Sequence, residues 1–251
     1  MNKKIISGAS VCKFFRNCIV VTLFAASAVI WGNERANQQI EVHFQKLLFN
    51  IPQDEFYVGS FDQRTGEINW DREYNQPPAT GFAQKVGEHY SVVIQRANNT
   101  ESSYDSKLVD LSSKEILLDL GIVGSWGVFK NDFYFAHAWE LRQFSFASKR
   151  VTVVEKRVTA VAASDDQLVT FTVEGKIFGS GTDTNTKQLL ASFDGVVTNA
   201  GFLTNHWVWY FLRGNEKSDG NLWLLNLDTR EQHKIDKKLP QCRLVNTSVH
   251  D

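Results

Sequence analysis

An all-β body of about five repeating units is predicted by three features of this 251-residue sequence. Beyond residue 40, short runs of β-branched and aromatic residues take the place of any helical period, which is the pattern of strands. Polar turns recur at regular intervals between the runs, and several runs are bulky at every position rather than at alternate ones. The four prolines, Pro52, Pro77, Pro78 and Pro240, are expected between the strands, where they remove no ladder hydrogen bond.

The chain begins with a segment of another kind. Residues 1–32 hold Lys3, Lys4, Lys13 and Arg16 and no acid, and the stretch 18–32 is uncharged. A basic inner flank, an apolar stretch and the polar Asn33-Glu34-Arg35 beyond it predict a transmembrane or signal helix with its N-terminus inside. Fifteen helical residues rise about 22 Å, short of a hydrocarbon core of about 30 Å. An anchor therefore recruits Phe14 and Phe15, with Lys13 and Arg16 snorkelling inward and Trp31 at the outer interface. Cleavage after Ala26-Ser27-Ala28 is the alternative, but it leaves an apolar Val-Ile-Trp start. The reading adopted is a signal-anchor over 1–32 and a β domain over 33–251. The short Lys-rich leader points to a bacterial inner membrane crossed once, with the domain periplasmic; a cut leader would release it there.

Within the body, one turn series runs through Asp54-Glu55, Gly87-Glu88, Asn131-Asp132, Asp165-Asp166 and Asn205-His206, spaced by 33, 44, 34 and 40 residues. Asn- and Asp-containing pairs accept the positive φ of a tight hairpin. A second series interleaves with it: Asp62-Gln63-Arg64-Thr65-Gly66-Glu67, Leu111-Ser112-Ser113-Lys114-Glu115, Phe146-Ala147-Ser148-Lys149-Arg150 and Leu227-Asp228-Thr229-Arg230-Glu231. Two interleaved series imply units of about four antiparallel strands, a period that signals a repeat array. The runs 133–136, 168–173, 207–212 and 222–227 are expected to be interior strands, each of its own sheet. Trp207-Val208-Trp209-Tyr210-Phe211-Leu212 is bulky on both faces and must be covered on both. Radially stacked blades do this, so the fold class predicted is a small β-propeller. The runs 39–51 and 242–249 are candidates to supply the strands that close the ring.

Gly220-Asn221-Leu222-Trp223-Leu224-Leu225-Asn226-Leu227-Asp228-Thr229-Arg230-Glu231 resembles the inner hairpin of TolB-like and WD40-like propeller blades, and Asp62 to Glu67 echoes it. The resemblance spans roughly residues 54–235 and implies the blade layout. The sequence departs from those families in lacking a Ser-Pro-Asp-Gly turn, and Asp165-Asp166 stands where Asp-Gly is expected. No family activity is therefore implied.

The body carries 23 basic and 28 acidic side chains without a Lys/Arg-dense run, which argues against nucleic acid as a partner. No His-Glu-x-x-His, Cys-x-x-Cys, Gly-x-Ser-x-Gly or phosphate-binding Gly-rich loop is present. Gly124-Ser125-Trp126-Gly127 looks like a nucleophile elbow but falls at a junction between units. The six histidines are scattered singly, so neither a metal site nor a cofactor is expected. Cys242 is the one cysteine of the body, which rules out an internal disulfide there and reads as a small apolar residue. Most tryptophans are expected between blades; Trp126 and Trp139, near junctions, are the candidate partner-binding residues. The long loops 71–84 and 97–106 are further places for recognition. The function expected is a membrane-tethered, extracytoplasmic module binding a protein or peptide. A hydrolase or lyase with its site at the axis is the rival, and a sensor or accessory subunit of a membrane complex a third reading.

Overall fold

The computed structural model describes residues 39–48, 51–75, 81–86, 88–96, 104–181, 186–213, 220–235, 239 and 241–249. The predicted leader, the prolines at 77 and 78, and much of the two long loops lie outside them. Twenty strands form five four-stranded antiparallel sheets, the blades of a propeller. Blade 1 has the order β20-β1-β2-β3, with β1 Gln39–Leu48, β2 Ile51–Asp62, β3 Glu67–Asn75 and β20 Cys242–Val249. Blade 2 comprises β4 Gly81–Val86, β5 Tyr90–Arg96, β6 Tyr104–Asp110 and β7 Ile116–Gly121. Blade 3 comprises β8 Trp126–Phe129, β9 Asp132–His137, β10 Glu140–Ser145 and β11 Arg150–Lys156. Blade 4 comprises β12 Val158–Ala163, β13 Leu168–Thr172, β14 Lys176–Ser180 and β15 Gln188–Ser192. Blade 5 comprises β16 Val196–Thr204, β17 Trp207–Arg213, β18 Gly220–Asn226 and β19 Gln232–Lys234.

The innermost strands are β4, β8, β12, β16 and β20, each running from the face where the chain crosses between blades toward the opposite face. The ring closes in blade 1, where the C-terminal β20 lies antiparallel to β1, with Ile40 opposite Val249 and Phe44 opposite Leu244. Both expected closing strands are thus used. Gln39 and Val249 leave the sheet at the same end, so one face carries both ends of the described chain. This is called the terminal face below; the other is the crossover face.

Turn chemistry explains the second turn series. Asp62, Asp110, Ser145 and Asn226 each accept, through the backbone carbonyl, a bond from the amide four residues on, at 2.8–2.9 Å. Their side chains accept from amides two or three residues on: Arg64 N at 2.8 Å, Ser112 N at 2.8 Å, Ser148 N at 3.4 Å and Asp228 N at 2.9 Å. The fifth residue is left-handed at all four turns, at Gly66, Lys114, Lys149 and Arg230. At Asp110 the bonds from the Ser112 hydroxyl and the Ser113 and Ser112 amides lower the carboxyl pKa to about 2. The first turn series differs from expectation in several places. Asp54-Glu55 is no turn but lies inside β2, where Glu55 pairs with Asn75 of β3. The left-handed pair in blade 3 is Lys130-Asn131, one residue early, and Asp132 already belongs to β9. The turns at Asp165-Asp166 and Asn205-His206 fall where expected but contain no positive φ.

Two other expectations are corrected. Pro52 is the second residue of β2, near a strand start where a missing donor is tolerated. The runs 207–212 and 222–227 are both interior strands, yet of one blade: Trp209 faces Leu224 and Tyr210 faces Trp223 across the β17–β18 ladder. The segment between them holds Gly214-Asn215 and Asp219-Gly220, turn pairs that fit a hairpin but belong to neither of the two turn series.

β17 shows why the strands are apolar on both faces. Trp207, Trp209 and Phe211 point into the core shared with blade 1, whereas Val208 and Tyr210 point into the core shared with blade 4. Trp209 meets Phe44 edge-on at 5.8 Å, and Tyr210 lies 5.3 Å from Phe171. Trp207 Nε1 donates to the Gln63 carbonyl at 2.9 Å and so ties blade 5 to blade 1. Trp209 is only 4% exposed, so Trp209→Ala is expected to cost roughly 3–5 kcal/mol through the cavity it leaves. Trp126→Ala, at a half-buried residue, should cost much less. Paired thermal melts test this; equal losses would contradict the interior placement of β17.

Burial also sets a pH limit. It pushes the Cys242 thiol and the Tyr210 phenol well above their ordinary 9.0 and 10.0. It also pushes Tyr57 up to about 12, with Glu55 and Glu73 adding to the effect. Unfolded, these groups lose protons near their ordinary values, so above about pH 9 the native state binds more protons than the unfolded one and stability falls as pH rises. Melting temperature should hold between about pH 7 and 9 and decline steadily above. A flat profile to pH 11 would refute this assignment.

Candidate functional site

The crossover end of the axis is sealed by a clasp from three blades. Asn199, 1% exposed on β16, donates through Nδ2 to the Gly124 carbonyl at 2.7 Å. Its Oδ1 accepts from Gln241 Nε2 at 2.8 Å, just before β20. Gly124 must be glycine here: a Cβ would stand 2.3 Å from the Thr198 carbonyl oxygen. Ser125 adds a fourth blade, its Oγ accepting from Val161 N at 2.9 Å while its carbonyl accepts from Ala136 N.

Beyond the clasp the axis widens into a cavity of about 330 Å³. All five innermost strands contribute, through Val86, Trp126, Val128, Ala163, Ala200, Phe202 and Leu244 among others. Lys85 and Asp165 are its only charged lining residues among those described, and both are exposed. They lie at or just beyond the ends of β4 and β12, which places the mouth on the terminal face. Trp209 reaches the cavity from the second strand because its cross-strand partner is Gly201, whose Cβ would come within 2.8 Å of Nε1.

The two candidate tryptophans are placed in different surroundings. Trp126 opens β8, half-buried, and lines the axial cavity rather than an end loop. Trp139 sits at the tip of the β9–β10 hairpin on the crossover face, 70% exposed. It and Ala138 are both left-handed, with φ of 61° and 50°. Asn and Gly suit such a pair; for other L-residues it costs roughly 1–2 kcal/mol each. The Trp139 carbonyl accepts from Val158 N at 3.1 Å, pinning the hairpin to blade 4.

The remaining motifs find structural roles. Gly124 and Ser125 form the cavity floor, and Ser125 has its neighbours in Val161 and Ala136 rather than in a base. His206 pairs with Asp228 at 2.9 Å on the surface, and His43 with Glu41 at 2.6 Å. Among the described residues no three of His, Cys, Asp and Glu are grouped to hold a metal ion. Sequence reasoning missed Asn199, Gln241 and Gly201. The one signal was a polar Asn and a Gly inside an otherwise apolar strand, which marks a close approach.

Comparison with known proteins adds no activity. No protein-family model matches the chain, and no curated protein matches it. Among solved structures it is similar to the computationally designed Ika8 protein, at 14% identity and a TM-score of 0.40, covering 74% of this chain and 57% of that one. It is also similar to the N-terminal domain of Nup159, at 10% identity and a TM-score of 0.42, covering 80% and 68%. A chain of the nidogen/laminin complex matches at 8% identity and a TM-score of 0.46, covering 84% and 98%. The chain thus spans little more than half of the Ika8 chain. The five-bladed architecture rests on the strand order of the chain itself.

Proposed function

We propose that this protein is a membrane-tethered, extracytoplasmic propeller that binds a protein or peptide partner through its crossover face, with Trp139 as the anchor. The observation that carries the reading is an indole 70% exposed on a hairpin whose backbone is left-handed at two successive non-glycine residues. Strain of that kind persists where a side chain is needed at that spot. Tryptophan is the residue most enriched among those that dominate binding energy. Ile122 and Val196, exposed by 58% and 45%, lie on the same face at the start of the β8 and β16 regions. The hydrolase or lyase alternative calls for carboxylates or histidines converging at the axis. The described cavity lining holds one acid, Asp165, at the mouth. The tether and the periplasmic placement rest on the charge pattern of residues 1–32.

Topology is tested by a reporter active only in the cytoplasm and fused after Asp251, which should be silent; strong activity would end the export reading. Partner binding is tested with a photo-crosslinker at position 139 in the native membrane. A discrete adduct is expected, absent when the crosslinker stands at position 114 on the terminal face. Trp139→Gly, which suits the backbone, should melt at or above wild type yet lower adduct recovery at position 122 roughly tenfold or more. Unchanged recovery would remove Trp139 from the interface.

A further inference from the structure

The axial cavity lies at the other end of the molecule from Trp139, and its wall carries unused hydrogen-bonding capacity. Ser125 is 2% exposed and Trp209 4%. The Ser125 Oγ takes the Val161 amide as acceptor, which leaves its own hydrogen to donate. Trp209 Nε1 is a donor only and has no acceptor among the described residues. Gly201 leaves that nitrogen uncovered, since any Cβ there would sit 2.8 Å from it. Both residues line the cavity. Donors on buried side chains that face a cavity are available to an acceptor bound there.

Around these donors the wall mixes apolar side chains, Trp126, Val128, Phe202 and Leu244 with the Trp209 ring, and polar ones such as Gln84 and Ser164. No charged residue lies among the described inner lining; Lys85 and Asp165, of opposite sign, stand at the mouth. A carboxylate or an ammonium taken to the floor would be desolvated without a counter-charge, a large penalty. The volume of about 330 Å³ is at the lower end of the roughly 300–1,000 Å³ of small-molecule pockets. It holds a group the size of an amino-acid residue rather than a folded segment.

We infer that the axial cavity binds a small neutral molecule in which an apolar group is joined to a carbonyl-type acceptor. The carbonyl oxygen accepts from Ser125 Oγ and Trp209 Nε1, and the apolar group packs against Trp126 and Phe202. The acyl group of a peptide bond is the simplest member of this class. The site is independent of the crossover face, because the Gly124–Asn199–Gln241 clasp closes the axis between them.

The test is a matched series titrated into the full chain, read by tryptophan fluorescence and by line broadening of the small molecule in NMR. N-acetyl-L-leucinamide is neutral, N-acetyl-L-leucine carries a carboxylate, and L-leucinamide an ammonium. Saturable binding of the neutral probe is expected, with at least tenfold weaker binding of both charged ones. Gly201→Ala, which covers Trp209 Nε1, should abolish it, and Trp139→Gly should leave it intact. Should Gly201→Ala fail to fold, Val128→Phe narrows the cavity instead and should weaken the neutral probe at least tenfold. Absence of saturable binding, equal binding of a charged probe, or full binding by a folded cavity variant would each overturn the inference.

Discussion

Pairing of β20 with β1 is the contact on which the remaining structure depends. Apolar cores join blade 5 to blade 1, blade 2 to blade 3, blade 3 to blade 4 and blade 4 to blade 5, so opening blade 1 exposes apolar sheet surface as well as an edge. Closing it joins the two ends of the described chain, a loop of about 200 residues whose entropic cost is on the order of 5 kcal/mol by the logarithmic closure law. The return comes from Cys242 and Leu244, which enter the core shared with Phe44, Trp209 and Phe211. Because one blade mixes strands from both ends of the chain, neither end can detach without opening the ring. The contact is also the most non-local in the molecule, which makes it a late and slow step in folding.

Closure forces five strands together at one axis, and the glycines there follow from that crowding. Gly124 lies against the Thr198 carbonyl oxygen, and Gly127 against that of Ala163, at separations where no side chain fits. Where the strands meet this tightly their polar groups cannot be left dry, and Asn199 and Gln241 satisfy them across the gap. Beyond the clasp the axial space is lined by larger side chains, Trp126, Val128, Phe202 and Trp209, around the cavity. Floor and cavity are therefore two ends of one packing problem. The residues that solve it are small or polar at the floor, and aromatic or aliphatic above.

Much of the fold was legible because its grammar is local. Asp62, Asp110, Ser145 and Asn226 announce their turns within five residues, by the chemistry of a side-chain oxygen that caps the amides after it. The doubly apolar Trp207 to Phe211 announces a sheet covered on both sides. The axis was not legible, because Gly124, Asn199 and Gln241 are separated by tens of residues and meet only through closure. Trp126 illustrates the limit. Its position at a junction was readable, but nothing local told whether the ring would face a loop or the axis. In sequence Trp139 reads as lying near a junction, whereas it stands at the tip of a hairpin within blade 3, and the strain beneath it depends on that hairpin having only two residues to turn in.

Orientation follows from where the chain enters the ring. Gln39 begins β1 on the terminal face, and under the proposed anchor over 1–32 only residues 33–38 lie between. Six residues reach at most about 20 Å, so this tether holds the terminal face toward the bilayer and turns Trp139 away from it. Under that proposed anchor the cavity mouth would open to the space beside the membrane, and the proposed partner surface around Trp139 would address the solvent beyond. The clasp keeps the two apart sterically. The route between them through the sheet is short nonetheless: Trp126 on the cavity wall pairs across the ladder with Phe135 of β9, and four residues further along the same hairpin stands Trp139. A second connection runs through β12, whose Val158 amide donates to the Trp139 carbonyl at one end and whose Ala163 lines the cavity at the other, so coupling between cavity and partner, where it exists, has two routes to the strained turn.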